Sequence, residues 1–363
     1  MSMQMVAKLA GVSTSTVSRV VNDDPRVAAA TAEIVRRAMK QISFTPTIRR
    51  NGAAARFAAA VAAGRGVRGA TSIAFLVFGT SGQQTAPAFE QLLRGVSACA
   101  SEQGLDMIFS FVSDPAGSGA LPPKIIQHRV DGLLLHGERP AIAVQQQLQN
   151  LPTVWLMANR QRPAWGDQVM PDNTLIGEIA AQYLIRRGHR RLAYLGADVG
   201  WWAMDIRAMA FCAKARLTGA EVEILHVGGT AGGSAAPSDP QSDLWQNSNL
   251  GRLAESLVDR LMQLTPMPTG LFIAEDRLVP LVDQVLSRRG VRLGSGRDAE
   301  IVSCNNERPY LIGLSAQPAT VDIRAESIGR RGIEQLIWRL RHPNVPERIR
   351  SMIEPILVEP ATQ

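Results

Sequence analysis

The sequence predicts an α/β protein in which a three-helix headpiece with a helix-turn-helix precedes a larger body of two similar lobes. Three observations carry this reading. Residues 6–44 place apolar side chains at helical spacing. From Thr71 onward short apolar runs alternate with helical segments, and the alternation restarts after residue 170. Positive charge is gathered at the front: residues 1–70 hold eleven Lys/Arg against three Asp/Glu, a balance of +8, so the other 293 residues sum to −1 of the net +7. A basic front on a near-neutral body fits a nucleic-acid module carried by a soluble sensor.

In the first helix Val6, Leu9 and Ala10 are expected on one buried face. Gly11 supplies the permissive backbone of a tight turn. Ser13 stands where it can cap the second helix by accepting from the free amides. Val17, Val20 and Val21 form that helix's buried stripe and leave Thr14, Ser15, Ser18, Arg19 and Asn22 outward. Small hydroxyls and a guanidinium on a short helix suit the major groove, where they meet base edges and phosphates. The plain alternative is an amphipathic hairpin with a solvated outer face. Residues 27–44 are read as a third helix, with Ile34, Val35, Ala38, Met39 and Ile42 on one side and Phe44 closing the small core.

The headpiece is bounded at residues 1–48, and residues 49–70 are read as a basic linker. The linker carries Arg49, Arg50, Arg56, Arg65 and Arg68, and its run Ala53 to Ala63 has strong helix propensity. It also contains G-R-G-V-R-G at Gly64, Gly66 and Gly69. A dinucleotide-binding glycine motif follows a strand and opens a helix; this one precedes a strand, which excludes that use.

In the body, residues 71–363, strands are expected at Ile73–Phe78, Asp106–Val112, Val130–Leu135 and Thr153–Met157, with a helix at Phe89–Gln103. After residue 170 a helix ends at Gly188 and the strand Leu192–Leu195 follows. Next come a helix near Ile206–Arg216, the strand Val222–Val227, a helix at Leu253–Leu264, and strands at Gly270–Ala274, Ile301–Cys304 and Ile356–Val358. Gly228 to Asn249, rich in Gly, Ser and Pro, reads as a surface loop. Alternation of this kind implies parallel sheets with helices on both faces. One lobe is expected at about 71–168 and 318–342, the other at about 169–317 and 343–363. Cys99, Cys212 and Cys304 lie far apart without a C-x-x-C pair, which argues against disulfides and a structural zinc site. There is no G-x-S-x-G, H-E-x-x-H or phosphate loop, so neither an enzyme nor a metal site is expected, and no cofactor. No signal peptide and no apolar run of about 18 residues is present.

The words A-G-V-S and T-V-S-R-V-x-N in the front helices resemble the headpiece of the LacI/GalR family of bacterial transcription regulators. VDGLLLHG, DNTLIGEIAAQYLIRRGHRRLAYLG, TGLFIAEDRLVPLVDQVLSRRGVRL and TVDIRAESIGRRGIEQLIWRL resemble, in order, segments of that family's two-lobed sensor, which is similar to periplasmic sugar-binding proteins. The resemblance covers essentially the whole chain. Departures are Met5 where relatives carry Asp, Ala28 where a capping Ser or Thr is usual, Glu275 in place of Asn, and Asn305 and Asn306 in place of acids.

The resemblance implies a ligand-responsive, sequence-specific repressor in the bacterial cytoplasm, binding a near-palindromic operator as a homodimer. Thr14, Ser15 and Arg19 are then expected to read bases. Ser13, Thr16, Ser18 and Asn22 are expected to hold phosphates, with Arg19 reaching both. The linker would form a hinge through Arg49, Arg50 and Arg56, with Phe57 or Val61 as the minor-groove wedge, since it contains no Leu. A flexible basic linker binding phosphates without a wedge is the alternative.

Effector contacts are expected from Arg207, Asp276, Asn305, Trp201 and Trp202, near the carboxyl ends of strands. The bland readings are a helix surface charge, a helix cap, a turn residue and two lid residues. His189 in G-H-R-R is expected to cap a helix. A carbohydrate is a candidate effector; no membrane partner is expected. The rival functions are a sugar-binding protein without a DNA role and an α/β enzyme using the cleft.

Overall fold

The computed structural model describes residues 3–21, 27–42, 44, 72–79, 86–112, 121, 125, 130–158, 165–197, 202–227 and 247–360. The expected linker, the surface loop up to residue 246, Asn22 and Trp201 lie outside them.

Helices α1 (Met3–Ala10), α2 (Thr14–Val21) and α3 (Ala29–Gln41) form the headpiece. Its core is Val6, Ala7, Val17, Val20, Ala32, Val35 and Ala38, with Met3, Ala10, Val21, Met39, Ile42 and Phe44 packed around it. The stripe in α1 is therefore Met3, Val6, Ala7 and Ala10, at i, i+3, i+4 and i+7. Leu9 lies off it and is 45% exposed, contrary to the sequence expectation. Ile34 is likewise off the α3 stripe and 52% exposed. Gly11 turns the chain at φ 65°. Ala28 precedes α3 without a side-chain cap, as its methyl dictates.

The first lobe is a six-stranded sheet made of β1 (Ser72–Phe78), β2 (Asp106–Val112), β3 (Gly132–Gly137), β4 (Thr153–Leu156), β5 (Asp167–Pro171) and β11 (Arg350–Ile353), in the order β11-β5-β4-β3-β1-β2. All its pairs are parallel. The second holds β6 (Arg191–Ala197), β7 (Glu221–Val227), β8 (Gly270–Ile273), β9 (Glu300–Cys304), β10 (Ala319–Asp322) and β12 (Ile356–Val358), in the order β12-β10-β9-β8-β6-β7. Only the β10–β12 pair in it is antiparallel. Helices α4 (Pro87–Glu102), α5 (Ile142–Leu148) and α11 (Ala325–Arg341) serve the first sheet. Helices α6 (Asn173–Arg186), α7 (Trp202–Leu217), α8 (Asn247–Gln263), α9 (Val279–Arg288) and the short α10 (Arg308–Leu311) serve the second. Among the described residues no helix is long and apolar enough to cross a membrane.

The sheets divide the chain's end differently from the sequence expectation. Residues 319–322 pair in the second sheet and 350–353 in the first, so the lobe crossings fall after β5, β10 and β11. Strand β11 is an edge strand with alternate residues exposed, and so has no apolar run to announce it. Strand β5 was also unannounced: it is fully buried, yet two of its five residues are Asp167 and Gln168.

Local sequence explains the joints. Asp172 caps α6 by accepting from the Thr174 and Leu175 amides, each at 3.0 Å. Helices α4 and α11 touch through glycines: a Cβ on Gly95 would stand 2.0 Å from the Glu326 carbonyl oxygen, and one on Gly329 2.3 Å from that of Leu92. Since the obstacle is backbone, Gly329→Ala must push the helices apart. We expect a loss of about 1–2 kcal/mol, read as a lower denaturant midpoint at unchanged slope; an unchanged midpoint would refute the contact.

Candidate functional site

Two surfaces carry chemistry. On the headpiece, Thr14, Ser15 and Arg19 are exposed, and Thr16 and Ser18 are half-buried. The Ser13 hydroxyl accepts from the Thr16 amide at 3.1 Å and lies 2.7 Å from Ser15 Oγ and 2.9 Å from Thr16 Oγ1. It caps α2, as its position implied. Asn22, Arg49, Arg50, Arg56, Phe57 and Val61 lie outside the described residues.

The second surface is the cleft between the lobes, at the carboxyl ends of both sheets, where open α/β sheets bind ligands. It has a volume of about 830 Å³ counted out to its mouth. Lobe one contributes Phe89, His136, Gly137 and Met157; lobe two contributes Met204, Arg207, Glu275, Arg277, Asn305, Glu307 and Tyr310.

Arg207 is 2% exposed. Its Nε donates to Asn173 Oδ1 at 2.9 Å, and its Nη1 donates to the Ala274 carbonyl at 2.9 Å and to Asn305 Oδ1 at 3.4 Å. All three acceptors are neutral, so among the described residues the cation meets no carboxylate through a hydrogen bond. Asn305 holds φ 108° and Asn306 φ 57°, a region that asparagine tolerates better than most residues. Asn306 is tied to the scaffold by its bond to Asp322 Oδ2 at 2.9 Å.

The structure does not bring Asp276 to the cleft wall. It is fully buried and accepts from the Glu307 amide at 2.6 Å and the Thr320 hydroxyl at 3.0 Å. Burial pushes its carboxyl up to about 7. The preceding residue, Glu275, faces the cavity instead. Trp202 also leaves the wall: it packs on the Trp155 side of lobe one, with the Arg350 guanidinium 5.7 Å from its ring. His189 caps α6 through its backbone, its amide donating to the Leu184 carbonyl at 3.1 Å after Gly188 turns at φ 95°, while its side chain points elsewhere. Its Nδ1 meets Thr269 Oγ1 at 2.9 Å and its Nε2 meets Glu300 Oε2 at 3.1 Å, which ties the turn to β9.

Residues missed in the sequence complete the wall. His136 places Nδ1 3.0 Å from the Leu156 carbonyl. A carbonyl only accepts, so Nδ1 carries the hydrogen and Nε2 is left as an acceptor. Burial lowers its pKa and keeps the ring neutral. Phe89 stacks on it at 5.4 Å. Glu307, 3% exposed, reaches across the cleft and accepts from the Ala88 amide in the first turn of α4 at 3.0 Å, a favourable end of a helix for an anion. Its other oxygen accepts from Asn305 Nδ2 at 3.2 Å. His136 stands at the carboxyl end of β3 and Glu307 shortly after β9, the one signal that could have found them.

Comparison with known proteins agrees with this architecture. Residues 2–47 match the bacterial regulatory proteins of the lacI family. Residues 70–231 match the periplasmic binding proteins and sugar binding domain of the LacI family, and 181–361 a periplasmic binding protein-like domain. The ribose operon repressor of Escherichia coli (strain K12) is 25% identical, over 99% of this chain and 98% of its own length. The transcriptional repressor PurR of Vibrio cholerae is 26% identical, over 98% and 95%. Among solved structures, a transcriptional regulator CelR–cellobiose complex aligns with a TM-score of 0.58 at 22% identity, and a lac repressor dimer bound to operator and the anti-inducer ONPF with 0.59 at 18%. Each covers 99% of this chain and 98% of its own. With the headpiece matched at one end and the sensor lobes over the rest, the chain belongs to the lacI family of bacterial regulatory proteins and is a ligand-responsive, DNA-binding transcription repressor.

Proposed function

We propose that the chain acts as a dimer whose two headpieces bind the half-sites of a near-palindromic operator, and that a small molecule in the cleft sets DNA affinity. The observation that carries this is the exposed hydroxyl-and-arginine face of α2 on a chain whose body holds a polar-walled cleft. The dimer on operator and the cellobiose complex among the similar structures support the same pairing of partners. Thr14, Ser15 and Arg19 read bases, Arg19 also reaching a phosphate, and Ser13, Thr16, Ser18 and Asn22 meet the backbone. Arg49, Arg50 and Arg56, with Phe57 or Val61, form the hinge. Arg207 and Asn305 hold effector oxygens. Closure of the lobes changes the spacing of the two hinges, a coupling of about 1–3 kcal/mol.

A gel shift on the gene's own upstream DNA tests this. Arg19→Ala weakens binding to every duplex and flattens the salt slope by about one, the mark of a lost phosphate contact. A Ser15 substitution changes which operator is preferred. Equal loss on all operators would remove Ser15 from the base readers. Absence of any binding at low salt would favour a sugar-binding protein without a DNA role.

A further inference from the structure

Three acids stand on the lobe-two side of the cleft, and their hydrogen bonds separate them. Asp276 is engaged by the Glu307 amide and the Thr320 hydroxyl. Glu307 is engaged by the Ala88 amide and Asn305. Glu275 lines the cavity, its side chain is 14% exposed, and among the described residues no donor hydrogen-bonds to it. The Arg277 guanidinium stands 3.9 Å away, within ion-pair reach but beyond a hydrogen bond. Opposite charge is present without a hydrogen bond to the acid: Arg207 gives Nε and Nη1 to neutral acceptors, and its charge, like that of Arg277, favours the Glu275 carboxylate but does not outweigh burial.

A carboxylate taken from water with no hydrogen-bond donor and a cation only at 3.9 Å is costly, and an incoming cation that donates directly to it recovers that cost. Where relatives carry Asn, a neutral group that both donates and accepts, this chain carries a negative acceptor. On the facing wall His136 Nε2 adds a second acceptor, and the Phe89 ring offers an apolar platform. Hydroxyl and ammonium donors on a ring match that wall; a second anion does not.

We infer that Glu275 sets effector specificity by pairing with a protonated amine, so that the cleft takes an amino sugar in preference to its neutral parent. This rests on the sensor role proposed above. The groups facing Glu275 are Arg277, Glu307 and Arg207, with Asp276 next in the chain and His136 and Tyr310 on the same cavity. Burial raises the Glu275 carboxyl to about 7, Glu307 adds to the rise, and the two arginines oppose it. Amine binding therefore strengthens as pH rises through about 7 and the carboxylate forms, and weakens again once the amine itself loses its proton.

The test is calorimetry and thermal shift on the full chain with glucose, glucosamine and N-acetylglucosamine, and with the three galactose counterparts. The N-acetyl forms keep the nitrogen and remove its charge. The expected result is an amine bound about tenfold or more tighter than both neutral matches, falling to about twofold or less in Glu275→Gln, which keeps the shape and removes the charge. Equal or tighter binding of the neutral sugars overturns the inference. So does an amine preference that survives Glu275→Gln, or no binding of any amine in the set. A gel shift on the same preparation separates the two levels. DNA binding without an amine preference sinks this inference alone; loss of both DNA and sugar binding sinks the regulator reading.

Discussion

Asp167→Asn lowers the free energy of unfolding by about 3–5 kcal/mol, the usual cost of leaving one member of a buried ion pair uncompensated. Asp167 is 1% exposed and Arg339 7%. The pair is bidentate, with Nε at 2.9 Å and Nη2 at 2.6 Å. Asp167 also accepts from Gln335 Nε2 at 2.8 Å and from the Ile349 amide at 2.9 Å. Arg339 donates further to the carbonyls of Val345 and Glu347, each at 2.7 Å. One acid at the start of β5 thus fixes the end of α11 and the returning segment that leads into β11. The amide of Asn can accept from one side only and leaves the guanidinium buried without its counter-charge. Urea unfolding followed by far-UV circular dichroism measures the loss. The double change Asp167→Leu with Arg339→Met should recover much of it, because replacing a buried pair by apolar groups costs far less than breaking it. A loss under about 1 kcal/mol for Asp167→Asn would show that the pair is solvated and holds nothing.

That network marks the boundary of what the sequence discloses. The headpiece was legible because its signals are local: helical spacing in α1 and α2, Gly11 between them, Ser13 at the cap. The strands β1 to β4 and β6 to β9 were legible because each is a short apolar run. Strand β5 was not, because the group that permits its buried Asp167 lies 172 residues later, at Arg339. Strand β11 was not, because an edge strand with alternate exposure needs little hydrophobicity. The same contrast holds in the cleft. Arg207 and Asn305 were found through a resemblance and do line it. The acid was placed one residue too far along, at Asp276, because the sequence does not say which of two adjacent acids turns inward. The structure gives the inward one, Asp276, to Thr320 and the Glu307 amide, and leaves Glu275 to the cavity. His136 and Glu307 depend on which wall faces which, a property of the paired lobes and not of either strand alone.

Raising the pH from about 5 to about 8 should destabilise the parent by about 2–3 kcal/mol more than Glu275→Gln. The sign follows from the direction of the shift. Burial raises the folded-state carboxyl from 4.5 to about 7, so the folded chain holds that proton more tightly than the unfolded one. The resulting stability is full below the ordinary Glu value and is lost as pH rises through about 7. Residual contact with water in the cleft holds the figure below what the whole shift would give. His136, lowered by burial, works the other way at the acidic end of this window, and Asp276, raised like Glu275, works the same way. Both groups are present in parent and variant, so the difference between the two isolates Glu275. Denaturant unfolding of both proteins at the two pH values measures it. Parallel profiles would mean that Arg277 closes the 3.9 Å gap in solution and keeps the carboxylate ionised. The acid would then already have its cation, and the cleft would have no electrostatic reason to prefer an amine.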